Sequence, residues 1–254
     1  MTADAILEVR KLSKAFGGVR AVNDVSFSVG RGEIIGLIGP NGAGKTTLVN
    51  LMTGVLPPTS GTVLFDGIDV TRQKPHQAAR RGIARTFQIV QPFPEMTVLE
   101  NVTAATLFAA GADSISAARE QAREHLEFVG IGRLATAPSR ALTLPDRKRL
   151  ELAKGLAMRP RVLMLDEVNA GLNSGEIDAA LDLIRRVSAR GVTIIIIEHL
   201  MKVVFSLSHR VLVLHQGALI SQGKPTEVAE DENVIRAYLG ARFAERHKGL
   251  VRHA

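Results

Sequence analysis

Nine consecutive residues, Gly39, Pro40, Asn41, Gly42, Ala43, Gly44, Lys45, Thr46 and Thr47, carry the first chemistry in this chain. GPNGAGKT has the form G-x-x-x-x-G-K-[ST], it follows the apolar run EIIGLI, and a helical stretch comes next. Successive backbone N–H groups ahead of a helix make a cradle for phosphates. Lys45 adds a point charge for the β and γ phosphates of a nucleoside triphosphate, and the Thr46 hydroxyl can ligate Mg²⁺. Side chains at Gly42 or Gly44 are expected to crowd the anion. A second constellation is VLMLDE, Val162–Glu167. Its apolar residues bury a strand and deliver Asp166 to the C-terminal end, where open α/β sheets hold ligands. Asp166 can steer the water shell of a metal, and Glu167 can polarise an attacking water.

The elements that must position these groups follow from periodicity and turn residues. ILEVRKLSKAF and VRAVNDVSFSV read as strands, the second with an imperfect alternation of Val22, Val25, Phe27 and Val29. SGTVLFDGIDV reads as a hairpin with Asp66-Gly67 as its two-residue turn. From about Thr97 to Gly155 the spacing turns helical: MTVLENVTAATLFAA, ISAAREQAREHLEFVG, and a helix opening at Leu-Pro-Asp-Arg that carries Leu150, Ala153 and Ala157. Strand signals return with RVLMLD, VTIIIIE and HRVLVLHQG, around the helical stretch SGEIDAALDLIRRVSAR. An α/β core interrupted by a helical insert is the reading.

Composition narrows the class. Aromatics are 4% with no Trp, so a base-stacking platform for nucleic acid has little material. There is no Cys, which removes thiolate metal sites and fits a reducing compartment. Net charge is +7, compatible with a phosphorylated ligand, an anionic membrane surface or nucleic acid. No run approaches the ~18 apolar residues of a spanning helix, and the start MTADAILEVR does not read as a secretion signal. The expected location is cytoplasmic.

In order, GPNGAGKTT, TFQ, the helix at Leu142–Asp146, VLMLDE, AGLN and IIIIEH resemble the ATPase subunits of ATP-binding cassette (ABC) transporters, over residues 6 to 240. The resemblance implies an α/β, P-loop NTPase (RecA-like) core with an antiparallel β subdomain and an inserted α-helical subdomain at about 90–158, followed by a basic tail, 241–254. It implies ATP and Mg²⁺ as ligands, Glu167 as catalytic carboxylate and Thr46 and Asp166 at the metal. It places Gln88 in a loop touching both Mg²⁺ and a membrane partner, His199 as a switch histidine at the γ-phosphate, and Phe16 as the ring stacked on adenine. The residues by themselves leave Phe16 open as a core residue, Gln88 as a loop residue and His199 as a helix-start residue.

LTLPD, Leu142–Asp146, stands where the family carries a glycine-rich signature that reaches across a dimer to the other subunit's ATP. Thr143 keeps a hydroxyl, but Leu144 and Pro145 replace glycines and Asp146 brings an anion. Arg147 and Lys148 are candidates to offset that charge. The segment is either a weakened signature or a working variant of it. Two smaller departures are Val168, where the family has proline, and Asn173 in AGLN, which can hydrogen-bond across a dimer without charge.

TFQIVQPFPEMTVLENV, EHLMKVVFSLSHRVLVLHQGALISQGKPTEV and VIRAYLG are similar to the branched-chain amino acid branch of these importers. That implies a second ATPase subunit, identical or not, two membrane permease subunits and a solute-binding protein, with the chain peripheral on the inner face of the plasma membrane. PFPE, Pro92–Glu95, is the expected permease contact. The alternatives are urea or amide import, lipid export, and a soluble cassette ATPase acting on nucleic acid. The tail from Arg242 reads as a solvated end or as a contact for acidic lipid.

Overall fold

A computed structural model describes residues 5–86, 92–109 and 111–239. Gln88 and the tail from Arg242 lie outside the described residues.

Strands β1 (Ala5–Phe16) and β2 (Val19–Gly30) pair antiparallel, with Leu7 opposite Val29 and Val9 opposite Phe27. Val22, Val25, Phe27 and Val29 are all buried, as the spacing predicts. The irregular step between Val22 and Val25 has a physical cause. The register shifts between the pairs Leu12/Val25 and Lys14/Val22, and Asp24 adopts φ 52°, so an extra residue is absorbed without turning the strand over. Strand β3 (Ile34–Ile38) is buried throughout, and the phosphate loop leads from it into α1 (Lys45–Met52).

β4 (Ser60–Phe65) and β5 (Ile68–Asp69) form the expected hairpin. Asp66 at φ 54° and Gly67 at φ 74° give the two positive angles that a two-residue turn of this hand requires. Next come α2 (Pro75–Arg81), β6 (Ile83–Arg85), α3 (Val98–Ala109), α4 (Ile115–Phe128) and α5 (Leu144–Ala157). Leu150, Ala153 and Ala157 lie on the buried face of α5, as their spacing predicts. β7 (Val162–Asp166) is fully buried and α6 (Ser174–Ser188) follows it. The chain ends with β8 (Thr193–Ile197), α7 (Met201–Leu207), β9 (Arg210–His215), β10 (Ala218–Gly223), α8 (Pro225–Glu230) and α9 (Glu232–Leu239). The short elements α2, β6 and α7–α9 have too few residues to show a period and were not legible from spacing.

Two compact units result: residues up to 72 with those from 195 onward, and residues 73–194. The first holds the four-stranded sheet β2-β1-β4-β5 and the strands β10-β9-β3, with β3 and β9 parallel. A hydrophobic cluster in this unit gathers Ile38, Val204, Val211, Val213, Val228 and Val234. The second unit holds the parallel pair β6–β7, with Ile83 opposite Val162, and the helices α2 to α6. β8 runs across the boundary in the sequence.

Helix α6 shows how local sequence sets an element. Asn173 accepts from the Glu176 amide at 3.0 Å, and Glu176 accepts from the Asn173 amide at 2.8 Å, a reciprocal cap. Asn173→Ala is expected to cost about 1 kcal/mol of stability, read as a lower denaturant midpoint at unchanged slope.

Candidate nucleotide site

In the first unit the phosphate loop is shaped by close backbone approaches. A Cβ at Gly39 would stand 2.2 Å from the Leu214 carbonyl oxygen, and one at Gly44 would stand 2.3 Å from that of Ala21. Gly44 also sits at φ 100°. Glycine at 44 is therefore demanded by the packing of the loop on β2, a reason that the motif alone does not reveal. No side chain caps α1 and its first turn holds no acid, so its leading amides and its positive dipole end are available to an anion. The Lys45 ammonium donates to the carbonyls of Gly39 at 2.7 Å and Pro40 at 3.2 Å, which fold it back over the loop. Ala43 is buried and ties the loop down by accepting from the Gly217 amide at 3.0 Å. Asn41, Gly42 and Thr46 are exposed, and Pro40 and Thr47 are partly so. Such a loop can bind the phosphates of a nucleotide.

Phe16 ends β1 and is 48% exposed, with Lys14 Nζ 5.1 Å from its ring centre. It is a surface ring and not a core residue. His199 follows β8 two residues ahead of α7, with its side chain 55% exposed and its Nδ1 4.0 Å from the buried Glu198 carboxylate.

In the second unit Asp166 closes β7 and is 3% exposed. Its Oδ2 accepts from Arg85 at 2.5 Å, and its amide donates to Thr86 Oγ1 at 3.2 Å. Glu167 has φ 48°, uncommon for a residue with a side chain. That angle ends the strand, and the Glu167 carbonyl takes the Lys148 ammonium at 3.1 Å and the Ala170 amide at 3.1 Å. Gln88 has no described position, so the structure places four of the five groups expected beyond the loop.

Three partners escaped the sequence reading. Arg85 and Lys148 hold Asp166 and the Glu167 carbonyl, as just described. The third is Tyr238 in α9, whose phenol takes a hydrogen bond from the Gly39 backbone while burial pushes its pKa up. None of the three sits within a recognisable local pattern of its partner.

LTLPD forms the start of α5. Thr143 is the N-cap, its hydroxyl donates to Asp146 Oδ2 at 2.7 Å, and Pro145 sits in the first turn, where a missing N–H is tolerated. The expected offset of Asp146 by Arg147 and Lys148 does not occur through hydrogen bonds. Arg147 donates to the carbonyls of Leu142 and Arg140, both at 3.0 Å, and Lys148 goes to Glu167. Backbone carbonyls take those donors instead, and the Asp146 carboxylate accepts from the Thr143 hydroxyl. Leu144 packs on Gly171 in AGLN, where a Cβ would come within 2.9 Å of it.

The parallel strands, the loop between β3 and α1 and the acidic end of β7 define the class of P-loop nucleotide hydrolases. Residues 22–170 match the family model described as ABC transporter, and residues 218–244 match that of the branched-chain amino acid ATP-binding cassette transporter. The chain belongs to the ATP-binding cassette transporter family, and it is an ABC-type ATPase that binds nucleotide. It is 41% identical over 249 residues to the high-affinity branched-chain amino acid transport ATP-binding protein BraF of Pseudomonas aeruginosa, covering 92% of this chain and 98% of that one. It is 35% identical to the lipopolysaccharide export system ATP-binding protein LptB of Escherichia coli, covering 94% and 99%. The ADP conformation of MJ1267, an ATP-binding cassette of an ABC transporter, superposes with a TM-score of 0.83 at 30% identity, covering 93% of this chain and 99% of that one.

Proposed function

We propose that this chain is the ATPase subunit that drives uptake of branched-chain amino acids, or related small polar solutes, through partner membrane subunits. The observation that carries this reading is the match of residues 218–244 to the branched-chain model, a segment outside the general ATPase motifs. The higher identity to BraF than to LptB favours import over lipid export. Among the described residues no helix is long and apolar enough to cross a membrane, and in this reading the translocation path belongs to the permease subunits. The assembly comprises a second ATPase subunit, two permease subunits and a solute-binding protein, with this chain peripheral on the inner face of the plasma membrane.

Roles follow residue by residue, within one ATPase domain over 6–240. The amides of Gly39–Thr47 and the Lys45 ammonium bind the triphosphate, and Phe16 offers a ring to the adenine. When Mg²⁺ is bound it neutralises phosphate charge; Thr46 and Gln88 hold it and Asp166 orients its waters. The exposed Thr46 hydroxyl and the carboxylate of Asp166 are hard oxygen donors that suit this metal. Arg85 holds Asp166 in this conformation and so competes with the metal for that carboxylate. Glu167 takes the proton of the attacking water. His199 donates toward the γ-phosphate, stabilising charge as it develops. The PFPE segment contacts a permease subunit.

Co-expression with the permease pair and solute-binding protein tests the reading. Leucine-stimulated ATP turnover in proteoliposomes is expected; turnover that ignores leucine, valine, urea and short amides alike would refute the cargo class. The same preparation settles LTLPD. Pro145→Gly with Asp146→Gln restores a backbone donor and removes an anion, so a severalfold rise in turnover is expected if the segment is a weakened signature. Unchanged turnover means that LTLPD already works.

A further inference from the structure

Leu144 and Lys148 stand four residues apart at the start of α5, so they share one face of the helix. Both reach the turn that follows β7 in the same unit. The Lys148 ammonium donates to the Glu167 carbonyl at 3.1 Å. Leu144 Cδ2 lies so near Gly171 that a Cβ there would stand only 2.9 Å away. Between these contacts Pro145, Lys148, Val168 and Leu172 line a narrow void of about 60 Å³, well below the roughly 300 Å³ of a ligand pocket. The start of α5 is packed on the turn 167–172.

That turn carries the Glu167 carboxylate on an uncommon backbone. Glu167 has φ 48° and Gly171 has φ 78°. A residue with a side chain keeps such an angle only where its surroundings favour it. The turn closes on itself through the Ala170 amide to the Glu167 carbonyl at 3.1 Å and the Leu172 amide to the Asn169 carbonyl at 3.2 Å. Lys148 adds a charge-assisted hydrogen bond to the peptide that joins Glu167 to Val168. Leu144 adds an apolar contact at the far end of the turn. The glycine that Leu144 replaces has no side chain to make that contact.

We propose that Lys148, with Leu144, is a positioning residue for Glu167 of its own chain. The start of α5 clamps the turn after β7 and so sets where the carboxylate points. The proposal rests on the reading of Glu167 as the base that activates water, and adds to it the groups that aim that base. A general base must come within about 3 Å of the proton it takes, and a displacement of about 1 Å can cost about 100-fold in rate. The Glu167 side chain hangs from the residue whose carbonyl Lys148 holds, so a shift of that peptide moves the carboxylate. LTLPD thus has a task inside its own subunit, besides the one toward the other subunit's ATP that the family resemblance implies.

The test measures ATP turnover, ATP affinity and thermal melting of the assembled transporter. Lys148→Met keeps most of the apolar stem and removes the donor. It should lower turnover about tenfold while ATP affinity stays within about twofold of the parent. Lys148→Arg keeps a donor and should recover most of that loss. Leu144→Ala should lower turnover about threefold by the same route. The decisive measurement is made in the Glu167→Gln background. There Lys148→Met should change the residual turnover less than about twofold, because the group it aims is already gone. A merely structural lysine would lower turnover equally in both backgrounds. The proposal is overturned if Lys148→Met turns over like the parent, if its loss lies in ATP affinity, or if the same loss appears beside Glu167→Gln. A Glu167→Gln variant that turns over like the parent would overturn the assignment of the base and the clamp with it. If Lys148→Met does not melt cooperatively, Leu144→Ala in the same two backgrounds decides.

Discussion

Lys45→Ala is expected to lower ATP affinity by about 100-fold. A charge-assisted hydrogen bond to phosphate contributes up to about 3 kcal/mol, and each 1.4 kcal/mol is about tenfold in affinity. In the structure the ammonium already sits over the loop, held by the Gly39 and Pro40 carbonyls, so little side-chain ordering is left to oppose binding. The same contacts predict a side effect. Removing the lysine strips two carbonyls of a donor, and stability should fall by about 1 kcal/mol. Titration calorimetry with ATP and a denaturant melt on one preparation separate the two. An affinity within threefold of the parent would show that the loop's amides hold the phosphates without the lysine.

Glu167→Gln is expected to reduce ATP turnover by roughly 10²–10⁴-fold, the range for losing a general base. Nucleotide affinity should stay within about threefold, because the change is isosteric. The backbone gives the substitution its clarity. Glu167 has φ 48° and its carbonyl accepts from Lys148 and Ala170, backbone contacts that glutamine keeps. Turnover of the assembled transporter, with ATP occupancy measured in parallel, checks both halves. Activity retained within twofold would move the base elsewhere.

These two residues differ in how they could be found. The phosphate loop was fully legible because its chemistry lies in consecutive residues: the backbone itself is the binding group, so spacing in sequence is spacing in space. The hairpin at Asp66-Gly67, the buried face of α5 and the opening of α5 at Leu-Pro-Asp-Arg were legible for the same reason, each being set within one or two turns of chain. Phe16 needed more. Its type and position suited either a core residue or a surface ring, and only the exposure in the fold separates them.

What surrounds Asp166 and Glu167 was not legible. Arg85 meets Asp166 across 81 positions, Lys148 meets the Glu167 carbonyl across 19, and Tyr238 reaches Gly39 from the last described helix. No periodicity links such pairs, because strand pairing and helix packing bring them together. The cations after LTLPD teach the same lesson. Charge counting set Arg147 and Lys148 against Asp146, whereas the fold offered carbonyls at better geometry and took both.

The amino-acid sequence alone determined that this chain holds a phosphate-binding loop, an acidic strand end and the alternation of strands and helices that carries them. It did so because each of those features is local, written in neighbouring residues with a period or a turn. Tertiary structure alone decided which basic side chain Asp166 meets and why Gly44 admits no side chain. Those outcomes depend on which distant surfaces pack together, and on the competition among donors for the same few acceptors once they do.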